Sequence, residues 1–433
     1  MTFWVNLAAV VAMAQGGEVL TIDEAVDIAA RNAFSVQLQQ SEVEKSRQRV
    51  RENQGTLGPR VTLSGNYQRN EKEISTEIAP GQSIVTQPLD SRTASASFTM
   101  PIDISGNIGR IVRASKANLL ASEQTLLATK NDVKLNVRRT YLNVLRAEEQ
   151  IEVAKLAVQE AEERLRNARA EEAAGTKARI DVIRIEAQLA QVQSDLITAI
   201  NQHTLAKQSL NNAMGRPIET EFQTAKLSGL PNAPLNADEV DKVAKSLRPE
   251  AKALEKTREA LGLIARATER GLQPTLDVGV NHQRNFDATG FSSRDQTTVG
   301  TLSLNWPIFD SGVTRARVKQ ARQDEEQAEI QLQQVLLGIS LEVRQAITNL
   351  TNASARLIVA ERQLVAAEEN YRISKVRLAA GEGITLEITD ALNQLTQARN
   401  AVVFARYDYW TAYSELQRAV GIDNLQQLAG GNN

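Results

Sequence analysis

The 433-residue sequence contains no cysteine. That removes structural disulfides and thiolate metal sites, and leaves no lipid-bearing N-terminal cysteine to expect. Histidine is nearly absent: His203 and His282 stand far apart and form no ligand cluster. Aromatic residues make up 4% of the chain, too few for a thick globular core. Neither sign of charge dominates, with a formal net charge of −2 and a pI of about 6.0, so there is no basic footprint for nucleic acid. No nucleophile motif and no phosphate loop occurs, so neither an enzyme nor a cofactor is expected. Long apolar runs are missing except near the N-terminus. The stretch from Phe3 to Ala14 is too short for a membrane-spanning helix, which needs about 20 residues. Although no Lys or Arg precedes it, its apolar run and Ala-Met-Ala ending fit a secretory signal over residues 1–14. The remainder, rich in Gln, Ala, Leu and Glu, suits long helices packed through small residues.

The chain is duplicated internally. Residues 101–215 align without a gap on 307–421, a constant shift of 206 residues. Pro101-Ile102 falls on Pro307-Ile308, Ser105-Gly106 on Ser311-Gly312, and Ala174-Gly175 on Ala380-Gly381. An upstream block, Gly58 to Asn70, resembles Leu272 to Asn285 and ends in the same Gln-Arg-Asn. The layout is therefore a first repeat over 15–231 and a second over 232–433, two similar units that use equivalent surfaces.

Heptads define most of each repeat. Val144, Ile151, Val158 and Leu165 are seven apart, with Ala147, Ala154, Ala161 and Ala168 three residues after each. The second copy has Leu350, Leu357, Leu364 and Tyr371, with Ala353, Ala360, Ala367 and Ser374. Large residues at one seam position and small ones at the other describe helices whose backbones approach closely. No proline interrupts 108–173, so a helix of about 65 residues and near 100 Å is expected. Gly175 and Gly381 end these helices. Returning helices follow, with small rows Ile185, Val192, Ala199, Ala206, Ala213 and Ala391, Ala398, Ala405, Ala412, Ala419. Each repeat thus contains a long antiparallel helical hairpin.

Two strand-like stretches precede each hairpin, at about 60–70 and 92–102, then 274–287 and 297–309. Val61, Leu63, Gly65 and Tyr67 alternate with Thr62, Ser64, Asn66 and Gln68, and Leu302, Leu304, Trp306 and Ile308 with Thr301, Ser303 and Asn305. At roughly ten residues each they are long enough to cross a membrane as tilted strands. A four-stranded soluble sheet is the plainer reading. In lipid, four strands cannot close a barrel without leaving backbone groups unpaired, so several chains would have to share one.

The strand-to-helix junction Trp306-Pro307-Ile308-Phe309-Asp310-Ser311-Gly312 resembles the TolC family of outer-membrane efflux proteins. So does the tip Ala380-Gly381-Glu382-Gly383-Ile384-Thr385-Leu386-Glu387-Ile388-Thr389-Asp390-Ala391. The first copy keeps Gly175 and Asp181-Val182 of that tip, but has Asp103-Ile104 where the second has Phe309-Asp310. The resemblance implies an α+β fold in which long antiparallel helical hairpins form a tunnel. Four transmembrane strands per chain contribute to a shared twelve-stranded barrel in a homotrimer. It further implies a channel in the bacterial outer membrane that extends into the periplasm. Such a channel conducts passively for an efflux or type I secretion system, alongside a periplasmic adaptor and an inner-membrane pump that supplies the energy.

In the family, two acids three residues apart after the tip glycines ring the periplasmic constriction, and here they correspond to Glu387 and Asp390. A ring of paired carboxylates in a narrow aqueous throat favours cations and attracts blocking ones; an exposed acidic pair on a helix face is the plainer reading. Asp181 repeats the position of Glu387 and is a second candidate acid, whereas Arg184 takes the place of Asp390. Gly175, Thr176, Gly381 and Glu382 sit at the hairpin tips, where an adaptor would dock. His203 lies in the heptad row opposite Tyr409, which points to packing, and His282 aligns with Tyr67 as an interface or lumen residue. Trp306, Tyr67 and Phe309 fall near strand ends, where an aromatic girdle would sit. Two alternatives remain: a periplasmic adaptor, which would have one hairpin instead of two, and a soluble coiled-coil scaffold, which would not need the alternating strands.

Overall fold

The computed structural model describes residues 19–227, 229–231, 236–289 and 294–425; the expected signal at 1–14 lies outside them. The first elements are β1 (Val19–Leu20), α1 (Ile22–Asn32) and α2 (Phe34–Gly55). They are followed by strands β2 (Arg60–Arg69), β3 (Ile74–Ala79), β4 (Gln82–Gln87) and β5 (Asp90–Ile102). The first hairpin is α3 (Asn107–Ala173) and α4 (Arg179–Ala213). Then come β6 (Gln223–Thr224), α5 (Ala237–Leu247), α6 (Pro249–Thr268), β7 (Thr275–Asn285) and β8 (Gln296–Asn305). The second hairpin is α7 (Val313–Ala379) and α8 (Thr385–Val420). The duplication is visible in the element bounds. Helices α3 and α7 are both 67 residues long, and α3, α4, α7 and α8 all begin 206 residues from their counterparts.

Two compact units are present, one built from 19–40, 125–251 and 334–425, the other from 41–124 and 252–333. Each unit therefore draws on both sequence repeats. In the first, the hairpin seams follow the heptads: Ile185, Val192, Ala199 and Ala206 are buried along α4, and Ala391, Ala398, Ala405, Ala412 and Ala419 along α8. Ala367, Leu395 and Ala398 form one packed layer of the second hairpin, and Leu357, Ala360, Val402 and Ala405 another. Near β1, which pairs in parallel with β6, lies a thicker core around Leu20, Tyr141, Leu145, Leu210, Met214 and Phe222. The Tyr141 hydroxyl sits 2.7 Å from the Leu20 carbonyl and 2.9 Å from that of Ala225, and burial pushes its pKa up to about 12.

An ionic cluster around the buried Arg248 ties four helices of this unit together. Arg248, only 4% exposed, donates to both oxygens of Glu250 at 2.9 Å, to Glu342 at 3.0 Å and to the Ala419 carbonyl at 3.0 Å. Arg418 bridges Glu342, Glu250 and, at 2.7 Å, Asp132. Burial disfavours the Glu250 carboxylate, but hydrogen bonding from Arg248 and the two guanidinium charges outweigh it and hold its pKa below the usual value. A guanidinium as buried as that of Arg248 is tolerated only when it is this fully partnered.

The second unit contains a four-stranded antiparallel sheet in the order β2-β5-β7-β8. Its register pairs Leu63 with Ala96, Phe98 with Val280, and Val278 with Leu302. The inserted β3–β4 hairpin pairs only with itself. The sequence difference before the long helices turns out to conserve function: Asp103 accepts from the Gly109 amide at 2.7 Å, and Asp310 accepts from the Thr314 amide at 2.6 Å. Although displaced by one aligned position, each carboxylate satisfies free amides at the start of its helix.

Candidate functional sites: a two-faced sheet and the hairpin tips

Alternation gives the sheet two chemically opposite faces. Val61, Leu63 and Gly65 of β2 share a face with Ala94, Ala96, Phe98, Met100 and Ile102 of β5. The same face continues through Leu276, Val278 and Val280 of β7 and Gly300, Leu302 and Leu304 of β8. No described residue covers it: Leu63 is 79% exposed and Leu302 71%. An uncovered apolar surface of this extent marks contact with lipid or a partner. Toward the ends farther from the long helices the face turns polar, with Tyr67 donating to Asp90 at 2.8 Å and His282 bonded to Thr298 at 2.8 Å. His282 thus lies on the apolar face, at its margin. At the helix end, Trp306 donates its indole N–H to the Leu272 carbonyl at 3.1 Å.

The opposite face carries hydroxyls and amides: Thr62, Ser64 and Asn66 on β2, Ser95 and Ser97 on β5, Asn281 and Gln283 on β7, Thr301 and Ser303 on β8. Ser64 and Ser95, direct cross-strand partners, are hydrogen bonded at 2.7 Å. Within the strands, charge occurs on this face as Arg60 and Asp277, both at the helix end. Such a surface can face water without binding any one solute strongly.

The hairpin tips share one backbone design. The Thr176 amide donates to the Glu171 carbonyl at 2.9 Å and that of Gly175 to Glu172 at 2.9 Å; Glu382 donates to Arg377 at 3.0 Å and Gly381 to Leu378 at 3.1 Å. Both are Schellman caps, and Gly175 and Gly381 each have φ +76°, a conformation side chains disfavour.

Their charges differ. Over 171–184 the first tip has three acids and three bases, net zero; over 377–390 the second has three acids and one base, net −2. In the first tip every acid has an ion-pair partner: Glu171 with Lys177 at 2.5 Å, Glu172 with Arg179 at 3.2 Å, and Asp181 with Arg184 at 3.8 Å. In the second, Glu387 lies 3.6 Å from Arg377, while Asp390 and Glu382 have no ion-pair partner among the described residues. Glu387 and Asp390 are both exposed, at the edge of the α8 seam formed by the buried Ile388 and Ala391. Glu387 also lies in the first turn of α8, where the helix dipole favours an anion.

A set of polar contacts between the two hairpins escapes the heptad reading. Arg164 of α3 donates to Thr389 of α8 at 2.7 Å, and Gln188 of α4 to Asn393 at 2.9 Å. Farther along, Glu160 pairs with Arg399 at 3.4 Å, and Glu149 accepts from Arg406 at 3.1 Å and from the Tyr407 hydroxyl at 2.9 Å. Arg164 and Gln188 each stand beside a seam leucine, Leu165 and Leu189, but nothing in the spacing names their partners. His203 is half-buried, and burial, then the neighbouring Lys207, pushes its pKa down. No group of three or more metal-ligating side chains occurs among the described residues. No described helix is long and apolar enough to cross a membrane.

Comparison with known proteins agrees with this geometry. The chain is 22% identical to the alkaline protease secretion protein AprF of Pseudomonas aeruginosa over 405 residues, 91% of this chain and 83% of AprF. It is 25% identical to the outer membrane protein TolC of Escherichia coli over 395 residues, 87% of this chain and 76% of TolC. The Campylobacter jejuni CmeC outer membrane channel superposes with a TM-score of 0.78 at 18% identity, covering 94% of this chain and 88% of CmeC. The profile of the outer membrane efflux protein family matches residues 25–216 and 242–422, most of both repeats. With its uncovered apolar sheet face and twin helical hairpins, this chain belongs to the outer membrane efflux protein family, a family of transporters of the outer membrane and not of enzymes.

Proposed function

We propose that three copies of this chain close one twelve-stranded barrel in the outer membrane. In this reading their helical hairpins wall the passage that continues into the periplasm. The observation that carries it is the sheet: one face apolar and uncovered, the other hydroxylic, with the outer edges of β2 and β8 unpaired among the described residues. Free strand edges in hydrocarbon leave unpaired N–H and C=O groups, each costing several kcal/mol, so the sheet must continue into another copy. The apolar face meets lipid and the hydroxylic face lines the passage. Conduction is passive, and the driving force comes from an inner-membrane pump reached through a periplasmic adaptor.

Within this assembly, Glu387 and Asp390 form the carboxylate ring at the periplasmic entrance, and the unequal tip charges support that placement. In the first tip Asp181 is offset by Arg184 and contributes no net field. Gly175, Thr176, Gly381 and Glu382 form the backbone-capped surface offered to the adaptor. The repeats at 15–231 and 232–433 then supply each chain with two similar wall segments. The test is fractionation followed by reconstitution. The protein is expected in the outer-membrane fraction, to need detergent for release, to have the mass of three chains, and to conduct ions in a planar bilayer. Full recovery in the soluble fraction without detergent overturns the reading.

A further inference from the structure

The apolar face of the sheet runs diagonally, and the diagonal fixes how one copy must meet the next. The middle of the apolar run is Leu63 in β2, Phe98 in β5 and Val278 in β7. In β8 the paired run from Gly300 through Leu304 is prolonged, by the same alternation in sequence, to the exposed Trp306 and Ile308, and on that sequence pattern its middle is Leu304. Directly across from Leu63 is Ala96, two residues short of Phe98. Across from Phe98 is Val280, two from Val278; across from Val278 is Leu302, two from Leu304. At each step the run slides two residues toward the long helices. A horizontal lipid layer crossing tilted strands produces such a drift. About 6.6 Å along the strand for each ~4.8 Å across the sheet corresponds to a tilt of roughly 50–55°, steeper than the usual 35–45°.

We infer that the seam between copies, β8 of one chain against β2 of the next, continues this step, placing Leu304 opposite Gly65 of the adjoining copy. The inference rests on the shared barrel proposed above and specifies its one unobserved strand pairing. In this register Leu302 faces Tyr67, and Trp306 faces Leu63, so the apolar layer stays level across the seam. On the polar face Asn305 meets Ser64, Ser303 meets Asn66, and Thr301 meets Gln68, a hydroxyl or amide against another throughout. A slip of one residue would put the leucines of β8 beside the polar side chains of β2. A slip of two keeps the faces but breaks the level of the apolar layer.

The chain has no cysteine, so disulfide trapping reads the register directly. Because β2 and β8 are opposite edges of the sheet, a disulfide between them joins two copies. Three double variants are compared in membranes under mild oxidation: Ser303→Cys with Asn66→Cys, and the slipped pairs Ser303→Cys with Ser64→Cys or with Gln68→Cys. All four positions are on the polar face and carry small or flexible polar side chains, and the four single variants serve as controls. The expected result is covalent dimers and trimers from the first pair, with the slipped pairs giving at least about fivefold less, since diagonal neighbours lie ~7–8 Å apart and a disulfide needs Cβ atoms within ~4.5 Å. Equal or better trapping by a slipped pair overturns the register, as does absence of trapping in particles that keep the mass of three chains. A particle with the mass of a single chain in lipid overturns the shared barrel as well.

Discussion

Tip charge is the most exacting test of the proposed carboxylate ring, because its sign can be pushed both ways. Replacing Glu387 with Gln and Asp390 with Asn takes the second tip from net −2 to net zero, the value of the first tip. In three copies that removes six negative charges from the entrance. If each stands roughly 8 Å from an ion on the axis, a unit pair in water is worth about 0.5 kcal/mol, and one Debye length of screening at physiological salt leaves about 0.2 kcal/mol. Six such charges acting on a divalent cation amount to about 2 kcal/mol, or a roughly thirtyfold weaker block by Mg2+. Asp390→Asn alone should give about fivefold by the same reckoning. Arg377, 3.6 Å from Glu387, opposes the field, so Arg377→Gln should tighten block by about the same factor. The assay is single-channel recording in a planar bilayer with Mg2+ on the tip side, repeated at 1 M salt, where screening over about 3 Å should shrink all three shifts. If Asp390→Asn and Arg377→Gln move block in the same direction, or the double variant leaves conductance, selectivity and block unchanged, the carboxylate ring is wrongly placed.

Three further outcomes concern stability. Gly215→Ala would set a Cβ 2.5 Å from the Asn32 carbonyl oxygen at φ +68°, and should cost about 2–4 kcal/mol in denaturant unfolding. Arg248→Ala removes the buried guanidinium from the part-exposed Glu250 and Glu342, leaving Arg418 as their remaining cation, and should cost about 1–3 kcal/mol at pH 7. Because the Glu250 pKa is lowered in the folded state, its contribution is complete above the ordinary carboxylate value and is lost as pH falls through the folded one. The difference between wild type and Arg248→Ala should therefore narrow below about pH 4, as followed by circular dichroism melts. Ala398→Leu inserts bulk into a seam layer with no exposed surface and should cost about 1–3 kcal/mol, whereas Leu at the exposed Gln397 should cost little.

The fold was legible wherever a repeat in sequence matches a repeat in geometry. Every small-row residue of α8 is buried because one side chain every two turns meets the same groove of its partner. The sheet faces were legible for the same reason at period two, as Val61 and Leu63 against Thr62 and Ser64 show. What was hidden depends on where separate segments meet. Arg377 approaches Glu387 only because the Schellman cap folds α7 back against α8. Arg164 finds Thr389 only once the two hairpins are set in phase. Asp103 and Asp310 look unrelated in alignment, yet a carboxylate needs only to reach a free amide, and one residue of slack in the loop supplies that reach. The Asp181–Arg184 pair could have been anticipated, since residues three apart on a helix are neighbours.

The matched caps at Gly175 and Gly381 bear on stoichiometry. Two tips with the same backbone and different charge offer a partner two classes of position per chain. An adaptor that reads only the capped backbone would load twice per chain, and would compete poorly with salt. One that reads the acidic surface would load once, at the second tip, and salt would release it. Counting bound adaptor per chain across an ionic-strength series would therefore tell whether the duplicated gene still presents one binding motif or has diverged into two.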